Sequence, residues 1–202
     1  MDLLRLPLIY ASIMAEKFVP ENETESSPPS PEEQDFLDLV EVREEDAGQF
    51  PRELIVERDE ETTGQQRENL YRIILQMSVP QKIRLAMLGN REARKILIHD
   101  RNQMIPKAVL RSPKLSDSEI FAFAQDRSTP EDIILAVAKN RVWMKKYFIK
   151  LAVVSNPKTP LPVALRFLDH LHDKDLQVLA RDKNISSVLS QTASRVFFKR
   201  KR

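Results

Sequence analysis

The feature that most constrains the fold is a series of short apolar segments with helical spacing across residues 67–202. Short polar breaks separate these segments, and several breaks carry helix-start signals. Ser78 and Ser116 are each followed three residues later by Gln or Glu, which is the pattern of a capping box. Thr-Pro pairs at 129–130 and 159–160 are typical of a cap with proline in the first helical turn. Because no segment alternates apolar and polar residues, the sequence predicts an all-α fold.

The same part of the chain repeats itself. Residues 108–114 (AVLRSPK) align with residues 152–158 (AVVSNPK) at an offset of 44, and half of that offset aligns Ala86 with Ala108. A helix of about ten residues is marginal alone in water, so each unit must bury its apolar face against its neighbours. The repeat predicts an α-solenoid of short stacked helices. It also predicts that four aligned residues are buried between units: Ala108, Val109, Ala152 and Val153.

One stretch carries a family resemblance. Residues 151–160 (LAVVSNPKTP), followed by Leu165 and Leu168, resemble the leucine-rich repeat variant, an α-helical solenoid unit, and residues 108–123 are a weaker copy. The wider similarity, over about residues 80–198, is to HEAT-like helical repeats, including bacterial proteins of unassigned activity. The resemblance implies a right-handed superhelix and a binding role. The founding variant repeat also carries a cysteine-bound cluster, which does not transfer to a chain without cysteine.

The charges are divided unequally along the chain. Residues 1–66 hold 18 acidic and 5 basic side chains, whereas residues 67–202 hold 12 acidic and 27 basic ones. Residues 20–66 are also rich in proline and poor in apolar residues, so we predict that residues 1–66 form a mostly disordered acidic tail and residues 67–202 a helical repeat domain. Within the tail, residues 34–42 are predicted to form a short helix, and residues 54–56 are a second apolar island. Both can dock on a partner or pack on the chain's own folded body. The predicted docking side chains of the short helix, at i, i+3 and i+4, are Phe36, Leu39 and Val40.

The first residues resemble a secretory signal only in part. Residues 1–19 include an apolar stretch at 6–15, but Asp2 accompanies Arg5, and Ile13 stands where a signal needs a small residue. We therefore favour a short amphipathic segment or a misassigned start over a signal. No apolar run approaches the ~20 residues that span a bilayer. The sequence predicts a cytoplasmic protein without a membrane span.

Basic side chains are the strongest surface signal. Trp143 and Tyr147 lie among them, as expected where aromatic rings stack on nucleic-acid bases. The alternative is that both aromatic residues belong to an apolar stripe with Phe148 and Leu151. The chain ends in the basic run 199–202 (KRKR). The side chains predicted to contact a partner or nucleic acid are Arg91, Arg94, Lys107, Arg111, Arg141, Lys145, Lys146 and Lys150.

Motifs for catalysis are missing from the sequence. It contains no cysteine, three glycines and no phosphate-binding or nucleophile-elbow pattern. His170 and His172 are two residues apart, a spacing that does not place them on one helix face, and no third ligand has a diagnostic spacing. We predict no metal, no cofactor and no enzymatic activity.

The predicted function is that of a non-enzymatic scaffold that binds a protein partner. The alternative is a DNA- or RNA-binding repeat protein that uses the basic face of residues 91–150 and the C-terminal run. A second alternative is an enzyme of an unrecognised class.

Overall fold

The computed structural model describes residues 42–57 and 63–201, and these residues form helices and connections without any strand. A 3-10 helix, η1 (Glu44–Gln49), comes first. None of the helices in the described ranges is both long and apolar enough to cross a membrane. The twelve α-helices are α1 (Arg52–Ile55), α2 (Gly64–Leu75), α3 (Val79–Leu88), α4 (Arg91–Leu97), α5 (Met104–Arg111), α6 (Asp117–Gln125), α7 (Glu131–Lys139), α8 (Arg141–Lys145), α9 (Tyr147–Ser155), α10 (Leu161–Leu168), α11 (Asp173–Leu179) and α12 (Ser187–Arg200). The prediction of an all-α fold is confirmed for this part of the chain.

Both predicted capping boxes are present. Ser78 precedes α3 and Ser116 precedes α6, and in each case the residue three positions later accepts a hydrogen bond from the backbone N–H of the serine. The threonine–proline pairs differ from the prediction. The proline itself is the N-cap of α7 and of α10, one position later than expected. The hydroxyls of Thr129 and Thr159 are buried and donate to carbonyls six residues upstream, so they close the preceding helix instead of opening the next one.

The residues aligned by the 44-residue offset lie in the core. Ala108 and Val109 on α5 are 1% and 0% exposed, and Ala152 and Val153 on α9 are 5% and 0% exposed. The small alanines allow neighbouring helices to approach closely, and the β-branched residues beside them fill the space between helices. The predicted burial of these four residues is confirmed.

Helices pack mainly against helices close to them in the chain. The principal contacts between non-consecutive helices join α3 to α5, α6 to α9 and α10 to α12, and a smaller contact joins α4 to α6. Every one of the larger helix contacts links elements that are no more than three positions apart in chain order. The C-terminal helices from α9 to α12 share one cluster of buried residues that runs from Val154 to Phe197.

The packed part of the chain includes residues that the sequence analysis assigned to the tail. Leu54 on α1 is fully buried, and η1 and α1 contact α3. The side-chain amide of Asn90 donates to the carbonyls of Glu53 and Val56 at 2.7 and 2.8 Å, which joins the end of α1 to the start of α4. Leu54 of the island at 54–56 therefore packs on the chain's own body, so packed residues lie on both sides of residue 66. Residues 34–41 of the predicted helix at 34–42, including Phe36, Leu39 and Val40, lie outside the described residues.

Polar side chains in the helix connections reach back to earlier helix ends. The amide of Asn156 donates to the carbonyls of Ala124 and Asp126, at 2.8 and 3.1 Å. At the aligned position 44 residues earlier, the hydroxyl of Ser112 donates to the carbonyl of Met87 at 3.2 Å. These bonds satisfy carbonyls that a helix C-terminus leaves without an intrahelical partner. The aligned connections therefore have the same structural role.

Candidate binding face

Arg94, one of the eight predicted binding cations, is a core residue. Its side chain is 1% exposed. Its Nε and Nη2 atoms donate to the two carboxylate oxygens of Glu119 at 2.7 and 3.0 Å, and Nη1 donates to the carbonyl of Gly89 at 2.6 Å. The ion pair joins α4 to α6. A partner cannot reach this guanidinium, so the structure does not support Arg94 as a binding residue.

Glu119 is held in its charged form by the same contacts. Burial by itself raises the pKa of Glu119, but hydrogen bonds from Arg94 and from the backbone and hydroxyl of Ser116 outweigh burial and hold the pKa below its ordinary value. The buried charges are therefore paired and hydrogen-bonded, as a stable buried ion pair requires.

The other predicted cations have different environments. Lys146, at the start of α9, pairs with Asp117 at the start of α6. Lys107 and Lys150 are half-buried. Exposed side chains are found at three places: Arg91 on α4, Arg111 on α5, and Arg141 with Lys145 on α8.

The aromatic residues among these cations pack within the fold. Trp143 is half-buried. The Tyr147 hydroxyl donates to Asp175 and accepts a bond from the backbone N–H of His172 at 2.9 Å, and the Tyr147 and His172 rings lie 4.1 Å apart. Burial and the Asp175 carboxylate raise the pKa of Tyr147. Its ring and hydroxyl thus fasten α9 to α11, whereas Phe148 is 44% exposed.

The basic C-terminal run is also partly engaged within the fold. Arg200 donates to the carbonyls of Leu171 and Asp169 at 2.7 and 2.6 Å and pairs with Asp173 at 3.0 Å. The ammonium of Lys201 lies 4.8 Å from the centre of the Phe197 ring. These contacts anchor the end of α12. Lys199 is exposed, and Arg202 lies outside the described residues.

A cleft between α4 and α6 brings together basic side chains that the sequence does not single out as a group. Its rim on the α4 side is formed by Arg91, Lys95 and His99, which follow one another at intervals of four residues. Its α6 side is formed by the exposed Ala122 and the nearly buried Phe123, with Glu119 and Asp126 also lining the cleft. The cleft combines a cationic rim with an apolar floor.

Two aromatic rings extend this surface from α6 to α9. Phe121 on α6 and Phe148 on α9 meet edge to face, with ring centres 5.5 Å apart. Because Phe121 is the neighbour of Ala122 in α6, its ring lies about a quarter-turn from the cleft. The cleft and the rings thus lie on three helices that pack in series. We call this surface the binding face and define it by Arg91, Lys95, His99, Phe121, Ala122 and Phe148.

A serine, a histidine and an aspartate also meet at the edge of the cleft. His99 Nε2 lies 3.2 Å from Asp126 Oδ2, and His99 Nδ1 lies 3.5 Å from Ser128 Oγ. The hydroxyl and the backbone N–H of Ser128 both donate to Asp126 Oδ1, at 2.7 and 2.8 Å. The same turn occurs 30 residues later, where Asn156 Oδ1 accepts from the Lys158 N–H at 2.9 Å without a histidine or a serine. We interpret the group as a turn that ends α6, because its serine proton is directed to the carboxylate.

This turn also stabilises the charged form of Asp126. Burial raises the pKa of Asp126, but hydrogen bonds from Ser128 and the nearby His99 and Lys158 outweigh burial and lower the pKa from its ordinary value. The remaining histidines have other surroundings: His170 is exposed near the Phe167 ring, and His172 stacks on Tyr147. Within the described ranges, no three His, Asp or Glu side chains are grouped so that they could hold a metal ion.

The sequence contains signals for two features of α4 that the prediction of binding cations missed, namely the burial of Arg94 and the common face of the residues that line the cleft. Arg94 lies three and four positions before Leu97 and Ile98, so helical spacing places it on the inward side with two core residues. Arg91, Lys95 and His99 have the spacing of a single outward stripe. Phe148 carries no such signal, because its exposure depends on how α9 packs.

Comparisons of the chain with protein-family models, with curated proteins and with solved structures found no match.

Proposed function

We propose that this chain is a helical-repeat protein of the α-solenoid type that binds a protein partner through the binding face and performs no catalysis itself. Two features support the repeat arrangement. The larger helix contacts are local in chain order, as expected where each unit contacts only its neighbours. The connections after α5 and α9, 44 residues apart, also make equivalent backward hydrogen bonds.

One observation carries the binding role: exposed apolar side chains lie beside exposed cations on helices that pack in series. Phe148 remains 44% exposed although it packs on Phe121, and Ala122 is exposed between Phe121 and the cationic rim. Aromatic residues and arginine are enriched at the centres of protein–protein interfaces, where a few such side chains provide most of the binding energy. The proposal assigns this role to Phe148 and Arg91.

The cations favour a protein partner over nucleic acid. A nucleic-acid surface needs several cations that follow a phosphate backbone and aromatic rings available for stacking. Arg94 is buried and paired with Glu119, Lys146 pairs with Asp117, and the ring of Tyr147 packs on His172. These side chains are therefore already engaged within the fold, which favours a protein partner.

The test is affinity capture from a nuclease-treated lysate of the native host. The bait proteins are the wild type, Phe148→Asp and the control Phe198→Asp, which changes a phenylalanine on α12 that is 63% exposed, against 44% for Phe148. We expect wild type and Phe198→Asp to capture the same proteins and Phe148→Asp to lose them. Thermal unfolding monitored by circular dichroism verifies that both variants fold. Capture that depends on nucleic acid, or capture that Phe148→Asp leaves unchanged, would contradict the proposal.

A further inference from the structure

The chemistry of the binding face specifies more than a generic protein partner. We infer that the partner segment carries a carboxylate side chain, which enters the cleft between α4 and α6, followed about three residues later by an apolar side chain, which covers Phe121 and Phe148. This inference rests on the proposed function, since it names the partner chemistry of the same face.

The charge balance of the cleft argues for an anionic ligand group. Its two acidic side chains already have partners, since Glu119 is bound by Arg94 and Ser116, and Asp126 by His99 and Ser128. In the described part of the chain, no carboxylate lies within ion-pair distance of the side chains of Arg91 or Lys95, which are both exposed. Two positive charges therefore remain for a ligand at the rim of the cleft.

The surroundings favour a carboxylate over a phosphate. The guanidinium of Arg91 offers the planar fork that matches a carboxylate. A phosphate group carries close to two negative charges, so Glu119 and Asp126, which line the same cleft, repel it more strongly than they repel a carboxylate with a single charge. The apolar floor of Ala122 and Phe123 also fits the methylene groups of an acidic side chain better than a sugar–phosphate backbone.

The spacing follows from the helix packing. Axes of packed helices are about 8–10 Å apart, so the α4–α6 cleft and the α6–α9 aromatic step are separated by roughly that distance. An extended chain covers about 3.3 Å per residue, so roughly three residues connect the two positions. The inferred element is an acidic residue with an apolar residue about three positions away.

Fluorescence anisotropy with defined probes tests the inference on the full-length chain. The probes are a labelled acidic peptide, GSEAAFGS, the neutral peptide GSQAAFGS and a single-stranded oligonucleotide. The variant is Arg91→Gln/Lys95→Gln, and the control is Arg141→Gln/Lys145→Gln, which removes the same two charge types at the same spacing from the exposed surface of α8.

We expect the acidic peptide to bind the wild type more tightly than the neutral peptide does. The Arg91→Gln/Lys95→Gln variant should weaken that binding about tenfold, and the control should change it less than about twofold. Equal weakening by both variants, equal binding of the two peptides, or no binding of the acidic peptide up to about 1 mM would overturn the inference. Tighter binding of the oligonucleotide that also depends on Arg91 and Lys95 would overturn it as well.

The capture experiment separates this inference from the proposed function. In a nuclease-treated lysate, Arg91→Gln/Lys95→Gln should lose the same proteins that Phe148→Asp loses. If Phe148→Asp loses them and the Arg91→Gln/Lys95→Gln variant retains them, the partner does not use the cationic cleft and the proposed function stands. If nuclease removes all capture, the proposed function itself fails.

Discussion

Replacing Arg94 with methionine tests whether the buried ion pair holds α4 and α6 together. Methionine retains much of the volume of the side chain but leaves the carboxylate of Glu119 without its bidentate partner, in a position where Glu119 is only 3% exposed. Removal of one member of a buried ion pair costs about 3–5 kcal/mol. Because Ser116 still donates to Glu119, we expect a loss near the lower end, about 3 kcal/mol in the free energy of unfolding.

Two further variants test whether the loss of stability comes from the unpaired buried charge. Arg72→Met removes the exposed i,i+4 ion pair between Arg72 and Glu68, in which the two side chains are 69% and 62% exposed. This change should lower the free energy of unfolding by about 0.5 kcal/mol or less. The double variant Arg94→Met/Glu119→Met removes both buried charges and also the capping box of α6. It should cost about 1 kcal/mol, the value of the lost cap, and should thus be more stable than Arg94→Met alone.

The pH dependence has a sign that a simple loss of packing would not produce. In the wild type the folded pKa of Glu119 lies below its ordinary value, so its contribution to stability is complete above that ordinary value and is lost as the pH falls through the folded pKa. In Arg94→Met the arginine no longer lowers the pKa of Glu119, so the folded pKa moves up. The variant then loses less stability than the wild type as the pH falls, and the difference from wild type should narrow between about pH 7 and about pH 4.

Urea unfolding monitored by far-ultraviolet circular dichroism measures all four proteins at both pH values. The reasoning is refuted if Arg94→Met costs less than about 1 kcal/mol, or if the double variant is less stable than Arg94→Met. A difference from wild type that grows as the pH falls would show that Glu119 is not the group responsible.

Two further predictions concern packing and the helix connections. Ala152→Arg places a charge and excess volume in a core position and should lower the free energy of unfolding by about 3 kcal/mol or more in a urea titration. The same change at the exposed Ala122 should be close to neutral, and a similar effect at both positions would show that Ala152 is not a core position. Asn156→Ala leaves two carbonyls at the end of α6 without their donor and should lower the free energy of unfolding by about 1–3 kcal/mol. Asn184→Ala in an exposed turn should lower it by less than about 0.5 kcal/mol, and equal losses would contradict the bridging role of Asn156.

The buried alanines and the capping boxes show what helical periodicity and neighbouring residues can predict. The burial of Ala108 and Ala152 follows from helical periodicity, and the caps at Ser78 and Ser116 follow from residues only three positions apart. These features depend on the energetics of one helix and its first turn, so neighbouring residues are sufficient to predict them.

The threonine–proline turns mark the limit of that local information. The sequence correctly indicates a helix boundary at residues 129–130, but the hydroxyl of Thr129 has two possible roles, one in each adjoining helix. It donates to the carbonyl of Phe123, because that carbonyl lies at a helix end and is otherwise unpaired inside the core. The choice depends on which polar group is buried, and burial is a property of the assembled helices.

The sequence by itself thus determined the all-α character of the described residues, the helix starts at Ser78 and Ser116, and the buried positions of the aligned residues. Helical spacing already places Arg94 on the inward side of α4, but only the tertiary structure decided that Glu119 pairs with it there, that Arg91 and Lys95 line a cleft, and that Phe148 remains exposed. The physical reason is separation along the chain. Arg94 is neutralised by Glu119, 25 residues away, and the cleft exists only because α6 packs beside α4. A charged side chain is a surface residue or a core residue according to whether such a distant partner reaches it.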